Sequence, residues 1–243
     1  MIAFPVALPV PAVPVDWPEP PGIAAYHGLA GDVVRAVAPQ TEADPVAILT
    51  QFLVAYGNLV GRTAHRMVGA TAHHTNEFLL LVGPSSKGRK GSSWDFIENL
   101  LLPADPDWAA TRIQSGMSSG EGLIWHVRDG MSIPGRSAEP DPGVEDKRLL
   151  VMEPEFALVL RVLAREGNTL SAVVRSAWDG KPLQTMSKNS PTRATNHHVS
   201  VIGHISSCQT SVLPTEIPER QEDSNGCRSF RGTYAALGMM LSA

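Results

Sequence analysis

The chain has 243 residues, 43% of them hydrophobic, and a formal net charge of -4. These values suit one soluble α/β domain with a buried sheet, and they exclude a generally basic protein, so any nucleic-acid contact must come from local clusters such as Lys87, Arg89 and Lys90. The two cysteines, Cys208 and Cys227, lie far apart, which argues against a disulfide framework or a cysteine metal site and fits a reducing cytoplasm.

Residues 1–22 read as an extended proline-rich arm. Pro5, Pro9, Pro11 and Pro14 interrupt an apolar run that no basic residue precedes, a pattern that suits neither a signal peptide nor a membrane helix. From Ile23 to Pro39, and again from Asp44 to Gly61, apolar residues recur at helical spacing: Val33, Val34 and Val37, then Ile48, Phe52, Tyr56 and Leu59. Asp44 is the expected N-cap of the second helix, with Pro45 at its first position. Glu77 to Val82 is a short, nearly continuous apolar run, as a strand buried on both faces of a parallel sheet requires. A glycine-rich loop follows, and helical spacing resumes over Ser92–Leu102 with Phe96, Ile97, Leu100 and Leu101. Pro134, Pro140 and Pro142 mark an exposed connection. Beyond it come a second buried strand (Arg148–Met152), helices over Glu155–Arg165 and Leu170–Trp178, a strand-like stretch near Leu183–Ser187, and a third buried strand over Val199–Gly203. Buried strands alternating with helices predict an α/β sheet with parallel crossovers.

The loop Gly83-Pro84-Ser85-Ser86-Lys87-Gly88-Arg89-Lys90-Gly91-Ser92-Ser93 stands between a buried strand and a helix N-terminus, where a phosphate loop belongs. Glycines let backbone amides converge, the helix dipole favours an anion, a lysine reaches the outer phosphates, and a serine hydroxyl can ligate magnesium. Counted strictly from Gly83, the pattern G-x-x-x-x-G-K-[ST] finds Gly88 in place but sets Arg89 at the lysine position and Lys90 at the hydroxyl position. Lys90 and Ser92 fit if the loop is longer than usual; a basic solvated turn is the plainer alternative. The second strand runs into Glu153 and Glu155, where a carboxylate can hold magnesium or orient an attacking water, or merely serve a helix N-terminus. His204 follows the third strand, at the edge where ligands of open α/β sheets gather, and could sense a terminal phosphate or act as a bonded boundary residue. Arg175 and Arg193 are candidates to neutralise phosphate charge or to remain solvated.

Several ordered motifs together resemble a family of RecA-like NTPase-domain proteins from prophages, plasmids and actinobacteria, often encoded with or fused to primase and helicase modules. The resemblance covers roughly Ile23 to Ser206. It rests on the glycine loop, Ser115-Gly116-Met117-Ser118-Ser119-Gly120-Glu121-Gly122-Leu123, Met152-Glu153-Pro154-Glu155-Phe156, Gly167-Asn168-Thr169-Leu170, Arg175-Ser176-Ala177-Trp178-Asp179-Gly180 and Gly203-His204-Ile205. It implies a RecA-like P-loop NTPase core with a mainly parallel sheet over residues 23–206, preceded within that span by a helical lead-in. It implies ATP and magnesium as cofactors, with Gly83, Ser86, Lys87, Gly88, Arg89, Lys90, Gly91, Ser92 and Ser93 around the nucleotide and Ser92 on the metal. Glu153, Glu155 and His204 are then the catalytic candidates. The implied setting is DNA replication or mobile-element maintenance, with single-stranded DNA, primase or helicase proteins and further copies of the chain as partners, and no membrane. Residues 207–243 depart from the family. Asn225-Gly226-Cys227-Arg228-Ser229-Phe230 only faintly echoes the expected segment, so the tail reads as truncated or altered and poorly ordered.

Three other readings compete. Gly116-Met117-Ser118-Ser119-Gly120 satisfies the G-x-S-x-G elbow of serine hydrolases, and Ser118, Asp179 and His204 follow their triad order, but Thr111–Ser115 is too polar for the buried strand an elbow needs. His73, His74, His197 and His198 could ligate a metal, although adjacent histidines on a strand point apart. A degenerate P-loop module could serve as a non-catalytic assembly surface.

Overall fold

The structure, a computed structural model, describes residues 21–83, 88–131, 141–186, 191–206 and 233–236. The helical lead-in forms as the spacing predicts. A short 3-10 turn at Ile23–Ala25 precedes helix α1 (Gly28–Val37), a second turn covers Ala38–Gln40, and α2 spans Pro45–Val60. The Asp44 carboxylate caps α2 by accepting the Val46 amide at 2.8 Å, and Pro45 occupies the first turn, where no amide donor is missed. A small exposed antiparallel hairpin follows, β1 (His65–Val68) with β2 (Thr71–His74).

The core then alternates strand and helix. It comprises β3 (Phe78–Gly83), α3 (Lys90–Leu101), α4 (Pro106–Thr111), β4 (Ile113–Gln114), α5 (Gly120–Trp125), β5 (Arg148–Glu153), α6 (Phe156–Leu163) and α7 (Leu170–Trp178). After these come the hairpin β6 (Leu183–Thr185) and β7 (Thr192–Ala194), the long strand β8 (His198–Ser206), and β9 (Thr233–Ala236).

The main sheet runs in the order β4-β5-β8-β3-β9. Its first four strands pair in parallel, and β9 pairs antiparallel with β3. Consecutive strand residues face opposite layers. Leu79, Leu81, Leu150, Met152 and Ile202 pack with the helices α1 to α4, whereas Phe78, Leu80, Leu149, Val151 and Val201 pack with α5, α6 and α7. The chain crosses from β3 to β4 in one direction and returns through β5 to β8 in the other. Right-handed crossovers therefore set the helices of the two journeys on opposite faces.

Two buried polar or small residues fix this packing. Asn58 on α2 donates to the carbonyls of Leu149 and His198, both at 3.1 Å, and accepts the Trp108 indole N–H at 2.9 Å, so one side chain ties α2 to β5, β8 and α4. Gly203 leaves room for Phe156: a Cβ there would come within 2.5 Å of that ring and 2.6 Å of the Leu80 side chain.

The stretch Thr111–Ser115, too polar for a buried strand, contains only the two-residue β4 at the sheet edge, paired with β5 alone and half-buried at both positions. Of residues 207–243, which depart from the expected family pattern, 233–236 are described, and they form β9 on the outer edge of β3. No described helix is long and apolar enough to cross a membrane.

Candidate functional site

The carboxyl ends of β3, β8 and β5 lie side by side in the sheet, with β8 in the middle. The connections leaving β3 and β5 depart toward opposite layers. Strand ends of this kind open a crevice in which ligands of open α/β sheets are held.

At the end of β3, the Lys90 ammonium donates to the Gly83 carbonyl at 3.0 Å, so the first residue of α3 closes back on the last residue of the strand. Between them, Pro84 to Lys87, including the candidates Ser86 and Lys87, lie outside the described residues. Gly88 stands in a turn. Arg89 adopts a left-handed backbone, with φ of 46°, and its guanidinium grips Glu42 at 2.8 and 3.0 Å. Both partners of this ion pair are largely solvated, so it contributes little to stability.

The two serines of the loop differ. Ser92, like Gly91, is exposed, whereas Ser93 is fully buried. The Ser93 hydroxyl donates to the Lys90 carbonyl at 2.7 Å and accepts from the Gln51 amide at 2.7 Å. Gln51, itself fully buried on α2, also donates to the Ala47 carbonyl at 3.1 Å. With both amide hydrogens committed, its carbonyl oxygen is the acceptor for the His204 Nε2–H, 3.1 Å away. A buried chain of bonds thus runs from His204 on β8 through Gln51 to Ser93 and the first turn of α3. Burial, with a smaller contribution from the charge of Lys90, lowers the His204 pKa to about 4, so the ring is neutral at physiological pH.

Glu153 ends β5 opposite Gly203 and is 7% exposed. Its carboxylate accepts the Met117 amide at 2.5 Å, which anchors the loop between β4 and α5. Since Met152 faces the α2 and α3 layer, Glu153 faces the other layer, whereas His204 shares the layer of Gln51. The acid and the histidine predicted for one site are therefore directed to opposite faces of the sheet. Glu155 is exposed just before α6, and its backbone carbonyl accepts the Leu158 amide at 2.9 Å. Arg175 and Arg193 are exposed on α7 and β7, across the sheet from α3.

The rival constellations do not assemble. Ser118 follows a strand, but among the described residues the non-glycine positions with positive φ are Arg89 and Asn196, so the strained elbow is absent there. Its proposed partner Asp179 sits at the far, amino edge of the sheet, beyond α7, where it pairs with Lys181 at 3.3 Å. Three of the four histidines are engaged in structural bonds: His74 to the Arg62 carbonyl at 2.9 Å, His197 to that of Lys181 at 2.7 Å, and His198 to that of Gly57 at 3.1 Å. Among the described residues, no group of three or more His, Cys, Asp or Glu side chains is placed to hold a metal ion.

The sequence reading missed Gln51. One signal for it existed: Gln51 and Asn58 stand seven residues apart, two turns along the otherwise apolar buried face of α2, where an amide is kept only if it has partners. No protein-family model matches this chain, and no curated protein sequence matches it.

Proposed function

We propose that the chain binds ATP with magnesium at the carboxyl edge of its sheet, as a RecA-like P-loop protein acting in DNA replication or mobile-element maintenance. The observation that carries this reading is the Lys90 ammonium folded onto the Gly83 carbonyl across the glycine loop. An ammonium held there stands at the mouth of the loop, where phosphate oxygens would be stronger, charge-assisted partners than a neutral carbonyl. The Arg89 guanidinium is directed to Glu42, whereas the Lys90 ammonium is directed to the end of β3, which supports Lys90 as the residue that reaches the phosphates. Ser92, exposed in the first turn of α3, is the hydroxyl available for magnesium, while Ser93 is committed to packing. In this reading Glu153 and Glu155 supply carboxylates for the metal and the attacking water, and His204 reports on the first turn of α3 through Gln51. Single-stranded DNA, primase or helicase proteins and further copies of the chain are the proposed partners, one copy supplying an arginine to its neighbour's phosphate.

Calorimetric titration of the full chain with ATP and magnesium tests the site. Lys90→Ala should weaken binding by about 10- to 100-fold, the value of a lost charge-assisted bond, whereas Glu153→Gln should leave binding within about threefold and lower turnover by about 100-fold. Unchanged affinity in Lys90→Ala refutes the phosphate assignment. A second reading, a nucleotide-binding module without turnover, draws support from the commitment of Glu153 to the Met117 amide, on the face away from His204. Binding without measurable hydrolysis in the wild-type chain, with and without single-stranded DNA, selects that reading.

A further inference from the structure

Beside the glycine loop, an open cleft of about 480 Å³ lies between the end of the lead-in turn and the outer side of α3. Pro39, Gln40 and Glu42 form one wall, and Arg89, Ser92 and Phe96 form the other. Ser92 and Phe96 are one helical turn apart and so share a face of α3. The cleft therefore starts at the exposed serine of the loop and extends along the helix, away from the position of the phosphates.

Its chemistry is mixed in the manner of a nucleoside pocket: a half-buried aromatic ring and a proline ring for a flat apolar body, with an amide, a carboxylate and a guanidinium at the rim. Both bonds from Arg89 fall on Oε2 of Glu42, so Oε1 keeps its lone pairs for hydroxyl donors. Gln40 is held toward the helix end by its bond to the Ala36 carbonyl at 2.8 Å, which leaves its amide oxygen as an acceptor at the rim.

We propose that this cleft receives the nucleoside part of the bound nucleotide, with the base stacked on Phe96 and the ribose hydroxyls on Glu42. The assignment rests on the phosphate reading of the glycine loop and adds to it the part of the ligand that the loop does not touch. It makes Arg89 a hinge between the two subsites, with its backbone ending the loop and its side chain bracing the carboxylate that meets the sugar.

The test compares two ligands on the full chain, each with magnesium: ATP, which has a nucleoside, and inorganic tripolyphosphate, which has none. Phe96→Ala should weaken ATP binding by about tenfold, the typical loss of one base-stacking ring, while tripolyphosphate binds as to the wild type. Phe96→Leu keeps apolar packing on α3 while removing the stacking face, and should show the same selective loss if the alanine variant folds poorly. Glu42→Gln should weaken ATP but not tripolyphosphate. If ATP affinity is unchanged in Phe96→Leu and Glu42→Gln while Lys90→Ala weakens both ligands, the cleft is not the nucleoside subsite and the phosphate loop stands. If neither ligand binds the wild-type chain, the phosphate reading fails and this inference fails with it.

Discussion

Replacing Gln51 with leucine tests whether the buried bonds between β8 and α3 act as a unit. In Gln51→Leu the His204 Nε2–H is left without its acceptor in a site where the histidine is 3% exposed, and the Ser93 hydroxyl loses the donor that fixes it. An orphaned buried donor costs about 1–3 kcal/mol and each lost neutral bond about 1 kcal/mol, so the substitution should destabilise the fold by about 2–4 kcal/mol. For a domain of this size that corresponds to a fall in melting temperature of roughly 4–16 °C. His204→Leu alone orphans the Gln51 carbonyl oxygen and should cost about 1–3 kcal/mol. The double variant removes both halves of the bond and leaves neither partner stranded. Its cost should therefore fall short of the sum of the single costs by about 1–2 kcal/mol. Urea unfolding at pH 7.5, where the histidine is neutral, measures all four proteins. Additivity within about 0.5 kcal/mol would show that the two side chains are independent, and the bonded relay to the loop helix would be wrong.

Acid should weaken the fold through buried histidines. His198 and His204 are both held at a pKa of about 4, chiefly by desolvation, so the unfolded chain takes up their protons first. Their stabilisation is complete above about pH 6.5 and is lost as pH falls toward 4, at about 2 kcal/mol for each histidine by pH 5. Asp129 and Asp146, held below the usual carboxylate range, lose their contribution only at lower pH and so add little to the change in urea midpoint between pH 7.5 and 5. A midpoint that does not move over that range contradicts the burial argument, and His204→Leu should shallow the slope. Gly203→Ala should cost about 1–3 kcal/mol by driving a methyl into Phe156 and Leu80, read as a lowered urea midpoint; a neutral effect would mean that the α6 packing yields more easily than described.

Much of the central architecture was legible in the sequence because its signals are local. Phe78–Gly83, Arg148–Glu153 and Val199–Ile202 are apolar runs buried on both faces, and the Asp44-Pro45 pair opens α2 where capping chemistry places it. Strand order and the facing of side chains were not legible. Glu153 and His204 both end apolar runs, yet a shift of one residue in register decides which layer each meets, and that register is set by pairing across β8 rather than by either segment alone. The two-residue β4 and the exposed hairpin of β1 and β2 escaped because neither buries enough surface to leave a pattern. Gln51 escaped for the converse reason: its partners are 42 and 153 residues away in the chain.

The antiparallel strand β9 has a consequence for the chain's behaviour in solution. On one flank the sheet ends in two-residue β4, too short to template much growth; on the other, β9 occupies four consecutive positions of β3, from Leu79 to Val82. A chain cut after Ser206 would bare that ladder of amides and carbonyls on one of its most apolar strands, an invitation to stack copies edge to edge. Residues 233–236 thus cover that edge, and a chain without them is expected to self-associate more readily.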